Sequence, residues 1–62
     1  MKIHVAHARP IGEDADVFFM AAGYTEIEAV ERLNETIEEY IDEPVDVRDA
    51  PSWTLSMAES EL

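Results

Sequence analysis

Between Gly23 and Pro44 the chain carries one helix signal with both ends marked. Thr25 can accept from the free N–H groups of a first turn, and Glu28 follows three residues later, the spacing of a capping box. Glu26 and Glu28 also complement the positive end of the helix dipole. Ile27, Val30, Leu33, Ile37, Tyr40 and Ile41 then recur at spacings of three, three, four, three and one, a single apolar stripe at helical period. Pro44 stops the run, because it pushes Glu43 before it out of the helical region. The spacing predicts a helix from about Glu26 to Asp42 with its stripe turned toward a sheet.

The flanking segments alternate with a period of two. Lys2 to Ala8 reads as a first strand, with Ile3 and Val5 alternating with His4 and Ala6. Arg9 to Ala15 contains Pro10 and Gly12 and breaks the pattern. Asp16 to Ala22 reads as a second strand. The apolar residues Val17, Phe18, Phe19 and Met20 fall on both parities there, as in a strand covered on more than one side or placed centrally. These two strands are expected to form an antiparallel hairpin with a loop longer than the tightest kind. After the helix, Val45 to Arg48 alternates like a short strand, and Asp49 to Ser52 reads as a turn. Trp53, Leu55 and Met57 alternate with Thr54 and Ser56 as a further strand, and Ala58 to Leu62 reads as a frayed tail. The fold class is α+β: a small three- to four-stranded antiparallel sheet in the order β-β-α-β, with one amphipathic helix packed across it. Residues 1–62 make one domain.

Charge limits what such a domain can bind. Fifteen acids face four bases, for a formal net charge of −11. A direct nucleic-acid binder needs a basic footprint, and an anionic membrane repels an acidic chain. No apolar run approaches a membrane span, and Met1 to His4 opens straight into the first strand with no secretory h-region, so a cytoplasmic protein is expected. The absence of cysteine excludes a disulfide framework and a thiolate zinc site.

At 100° per residue, Glu28, Glu31, Arg32, Glu35, Glu38, Glu39, Asp42 and Glu43 fall opposite the apolar stripe. Glu28 with Arg32 is the one helpful pair. Glu31–Glu35, Glu35–Glu39 and Glu38–Asp42 are like-charge pairs that each cost a few tenths of a kcal/mol. Glu13, Asp14 and Asp16 form a second acidic patch. Three readings stand. The face solvates a small protein, it adapts the chain to a salt-rich cytosol, or it imitates a nucleic-acid backbone. On the third reading the helix carries about one carboxylate per 3–4 Å of axis, against one phosphate per roughly 3.4 Å of a DNA strand. A channel lined with Lys and Arg would attract such a face with fast, salt-sensitive association.

Other residue groupings carry less. His4 and His7 are three apart on a strand and point to opposite faces, so they make no joint metal site. Glu13-Asp14-Ala15-Asp16 lacks the ligand spacing and closing glutamate of a calcium loop. Ser52, Ser56 and Ser60 have no nucleophile elbow, and no glycine-rich loop cradles phosphate. No catalytic residue, metal or cofactor is expected. Trp53, Phe18, Phe19, Tyr24 and Tyr40 read as core, with Trp53 the one that could instead anchor an interface.

Two resemblances follow from these residues. Gly23-Tyr24-Thr25-Glu26-Ile27-Glu28-Ala29, with Leu33-Asn34-Glu35 and Ile37-Glu38-Glu39-Tyr40-Ile41, resembles the glycine-x-threonine-x-x-glutamate-alanine segment of HicB-type antitoxin domains. That resemblance covers Val17 to Ile41 and implies a strand leading into a capped helix within a small β-β-β-α-β fold. In size, charge, lack of cysteine and element order, the whole chain resembles phage-encoded anti-CRISPR proteins, most of all inhibitors of type I surveillance complexes. That resemblance implies a monomer without catalytic residues that occupies the basic channel meant for target DNA. The contacts would be Glu28, Glu31, Glu35, Glu38, Glu39 and Asp42, with Glu13, Asp14 and Asp16 as a second patch. The alternatives are an antitoxin-like module that neutralises a basic toxin, and a domain whose acidity serves solubility in a halophile.

Overall fold

The computed structural model describes residues 1–12 and 16–61. Strand β1 (Lys2–Pro10) lies at the centre of a three-stranded antiparallel sheet, between β2 (Phe19–Gly23) and β3 (Trp53–Glu61). Helix α1 (Glu26–Ile41) follows β2 and packs across one face, over β2 and β1. The α+β architecture expected from the sequence is present.

Strand alternation decides which residues meet the helix. Ala6 and Ala8 of β1 point toward it and are fully buried, and their small side chains let the helix settle close. Phe19 and Ala21 of β2 and Trp53 and Leu55 of β3 pack from the same side. The helix contributes Ala29, Val30, Leu33 and Ile37, and Val47 enters from the loop that follows. Leu33 and Ile37 are the largest fully buried side chains.

Both helix ends follow local chemistry. Thr25 Oγ1 accepts from the Glu28 N–H at 3.0 Å, and the Glu28 carboxylate accepts from the Tyr24 N–H at 3.1 Å. This is the reciprocal capping box that the sequence predicts, with the return bond shifted to the residue before the cap. Gly23 makes the entry possible. A Cβ there would stand 2.7 Å from the Ala29 backbone nitrogen, inside the helix's own first turns. At the other end the chain leaves through Asp42 in the left-handed conformation, at φ 58°.

Several boundaries differ from the sequence reading. The helix ends at Ile41, with Asp42 its cap. β1 runs on through Pro10, which pairs with Trp53, because the missing proline N–H is harmless where only β3 lies alongside. β2 starts at Phe19, and Asp16 lies in a turn before it. Val45 to Arg48 is not a strand: its alternation arises because Val47 is turned into the core by side-chain bonds described below. The expected frayed tail is strand. β3 continues through Ala58 to Glu61, where Glu61 lies opposite Lys2. The Met1 amine reaches the Glu61 carboxylate at 3.5 Å, and Lys2 reaches Glu59 at 3.4 Å, so opposite charges join the start of β1 to the last residues of β3.

The apolar stripe is narrower than the periodicity suggests. Ile27 and Tyr40 are more than three-fifths exposed, and the fully buried Ala29 belongs to the core instead. Because the helix lies over β2 and β1, its flank toward β3 is uncovered, and Ile27 borders a groove there with Val30, Leu55 and Met57. Tyr40 stands at the rim against the Phe19 ring, centroids 5.2 Å apart, and Phe19 also meets Trp53 at 5.8 Å.

The opposite sheet face has no helix over it. It carries Ile3, Val5, His7 and Arg9 of β1, Met20 and Ala22 of β2, and Thr54, Ser56, Ala58 and Ser60 of β3. Phe18 lies beside His7 and under the Arg9 guanidinium. None of the paired strand residues on this face is acidic. No described helix is long and apolar enough to cross a membrane.

Candidate acidic interface on the helix

With its buried stripe against the sheet, α1 turns its acidic residues outward. Glu31, Glu35, Glu39 and Asp42 are exposed, while Glu28 and Glu38 are partly buried. Glu35, Glu38, Glu39 and Asp42 border one shallow open depression at the C-terminal half of the helix. The structure therefore brings together most of the helix carboxylates singled out in the sequence.

Two of them already have work within the fold. Glu28 closes the capping box and lies 3.5 Å from Arg32 one turn later, so its charge is locally answered. Glu38 Oε2 accepts from the Val45 N–H at 3.0 Å, which holds the loop to the helix just after Pro44. As partner contacts, Glu28 and Glu38 are thus less free than the periodicity implied. Glu31, Glu35 and Glu39 make no hydrogen bond or ion pair within 4 Å among the described residues, although Glu31 lies within the electrostatic reach of Arg48. Of the second patch, Asp16 is exposed, and Glu13 and Asp14 lie outside the described residues.

The acidic face costs the fold something. An L-residue in the left-handed region is strained, and no basic residue stands in the last turn to answer the negative end of the helix dipole. Asp42 adds a carboxylate at that spot, four residues from Glu38. Asp42→Gly should therefore raise stability by about 1 kcal/mol, combining relief of the left-handed strain with loss of an unfavourable charge. Asp42→Asn should recover only the charge part. Urea unfolding of the three proteins checks this, and a destabilised glycine variant would contradict it.

A second cluster escaped the sequence reading. Asn34 sits mid-helix, where its Oδ1 accepts from the Val47 N–H at 3.0 Å. Its Nδ2 reaches Asp46 at 3.4 Å. The Asp46 carboxylate takes two side-chain bonds from Arg48, each 3.1 Å, and one from the Arg48 backbone N–H. The only sequence signal was a polar residue beside the apolar stripe, with a short aspartate-x-arginine motif further on. These bonds fasten the loop so that Val47 reaches the core.

The Arg48 side-chain bonds, then its backbone bond, hold the Asp46 carboxyl at about 2, below its ordinary value of 3.8. A carboxyl lowered by folding adds stability that is complete above the unfolded pKa and is lost as pH falls through the folded one. The stability gap between the wild type and Asp46→Ala should accordingly be constant above about pH 5, then narrow as pH falls from 3.8 toward about 2. Melting curves of both proteins at pH 6 and pH 2 test this. A gap of unchanged size at pH 2 would show that the carboxylate is not held as described.

Compared with models of protein families, with curated proteins and with solved structures, the chain matches none.

Proposed function

We propose that this chain is an acidic binding protein that lays the outer face of α1 into a basic, nucleic-acid-binding surface of another protein and so competes with the nucleic acid. The observation that carries the reading is the segregation of charge. Glu31, Glu35, Glu38, Glu39 and Asp42 crowd one side of one helix, while no paired strand residue of the uncovered sheet face is acidic. Acidity that served only solubility or salt tolerance would also occupy the exposed positions Thr54, Ser56, Ala58 and Ser60, where a carboxylate would disturb no packing. Those positions hold neutral residues in a chain of net charge −11.

The spacing supports the same reading. Glu31 to Asp42 spans about 16 Å of helix axis and carries five carboxylates, about one per 4 Å. A DNA strand offers one phosphate per roughly 3.4 Å. A surface whose lysines and arginines are spaced for phosphates would meet carboxylates at nearly the same interval.

The partner we propose is the DNA channel of a type I CRISPR surveillance complex, in keeping with the size, charge and α+β order of the chain. The test is an order-of-addition gel shift with target DNA and the purified complex. Added first, the protein should abolish DNA binding. Added after DNA, it should have little effect. DNA binding that is unaffected in both orders would remove this partner, and a capture experiment with a small basic toxin would then examine the antitoxin-like alternative.

A further inference from the structure

We propose that His4, Glu26 and Glu59 form a binding site for a single divalent transition-metal ion of the zinc type, near where the start of β1 meets the end of β3. The three residues are far apart in sequence and are joined only by the fold. His4 lies on the central strand β1, directly opposite Glu59 of β3, with both side chains on the helix side of the sheet. On its other flank His4 pairs with Gly23, whose missing side chain lets α1 descend onto the sheet. Glu26, the first residue of α1, is thereby carried over the same spot. One potential ligand atom from each residue lies within 4.8 Å of the other two.

The decisive observation is the state of the histidine. Its side chain is only 15% exposed, and its Nδ1 atom is sealed from solvent without a hydrogen-bond partner. It is the only such side-chain atom among the described residues. The nearest carboxylate oxygen, Glu59 Oε1, is 3.9 Å away, beyond hydrogen-bond range. Buried polar atoms almost always have a partner, and an orphan asks for one that the chain does not supply. An ion between Nδ1 and the two carboxylates would supply it.

The ligand chemistry selects the metal class. One imidazole nitrogen with two carboxylate oxygens suits zinc and its first-row neighbours, whereas calcium and magnesium favour all-oxygen sites. Zinc bonds to such ligands are about 2.0–2.2 Å, so two ligand atoms at a tetrahedral angle lie roughly 3.4 Å apart. The His4–Glu59 pair, now 3.9 Å apart, has only a small distance to close, and the exposed side chains of Glu26 and Glu59 have room to turn inward. Lys2 approaches Glu59 through Oε2, which leaves Oε1 to the ion. Water would complete the coordination. The bound ion would tie β1, the start of α1 and the end of β3 together, and would stabilise the fold by binding the native state alone.

The test is titration of the chelator-treated protein with zinc sulfate, followed by calorimetry, by melting temperature and by the NMR signals of the two histidine rings. The expected result is one ion per chain, a higher melting temperature, and a shift confined to the His4 ring. His4→Ala and Glu59→Gln should each weaken binding at least tenfold. Glu59→Gln alters an exposed side chain, so it keeps the test valid if His4→Ala disturbs the sheet. His7→Ala, on the opposite face, should bind as the parent does. Equal affinity in all variants, or calcium binding as tightly as zinc, would assign the ion to the general acidity of the surface and overturn the proposal. No binding would overturn it as well, and would leave His4 to turn toward Glu59 as a simple hydrogen-bond donor.

Discussion

Replacing Glu31, Glu35 and Glu39 together by lysine should eliminate competition with DNA while leaving the fold standing. Each reversal adds two units of charge, which moves the net charge from −11 to −5. On a basic partner surface, each position loses an attraction and gains a repulsion. At about 1.5 kcal/mol or more for each lost charge-assisted bond, three losses weaken binding at least about a thousandfold. The fold tolerates the change because all three side chains are exposed and hold no hydrogen bond among the described residues. The new cations would sit three or four residues from Glu28, Glu38 and Asp42, spacings that favour opposite charges on a helix, while the 31–35 and 35–39 pairs stay like-charged and the cation at position 31 would oppose Arg48. Gains and losses are of similar size, so the melting temperature should stay within a few degrees of the parent's. Glu38 is left out of the set on purpose. Its carboxylate holds the Val45 N–H, so Glu38→Lys would loosen the loop and confuse loss of contact with loss of structure.

The largest effect on stability is expected in the core. Leu33 and Ile37 are completely buried, stand one turn apart, and are the largest side chains so placed. Leu33→Ala or Ile37→Ala should each cost about 2–5 kcal/mol, from lost transfer free energy and the cavity left behind. A domain of this size belongs near the low end of the usual 5–15 kcal/mol. Either change should remove a large part of the stability, and both together should leave no cooperative unfolding transition in urea. A loss below about 1 kcal/mol for each would mean that the helix does not rest on the sheet through these residues. Ile27→Ala, in contrast, should cost little, since Ile27 is mostly exposed.

What could be read from the sequence was short in range. The capping box, the helix and its acidic face depend on residues within four positions of each other, and all were legible. The misreadings share a cause, because each depends on a distant partner. Ala58 to Glu61 has no strand-like apolar pattern and becomes strand only because β1 offers it an edge. Val45 to Val47 alternates like a strand, yet Asn34, more than three helical turns' worth of sequence earlier, draws Val47 into the core through a turn. Ile27 fits the helical period but faces the flank that the off-centre helix leaves bare, while Ala29, too small to mark a stripe, is fully buried. Glu38 looked like one more outward carboxylate, and only the path of the chain after Pro44 brings Val45 back to it. His4, Glu26 and Glu59 gave no joint signal in sequence because each comes from a different element.

The central claim is that the position of the charge on α1 matters more than its total. Two variants of identical net charge test this most directly. One carries Glu35→Gln with Glu39→Gln on the outer face of the helix. The other carries Ser56→Lys with Ser60→Lys, both exposed on the sheet face opposite the helix. Each pair moves the net charge from −11 to −9. In the order-of-addition gel shift, the helix pair should lose most of its power to exclude DNA from the surveillance complex, and the other pair should retain it. Equal loss in both would show that bulk charge drives the interaction, and would contradict the account.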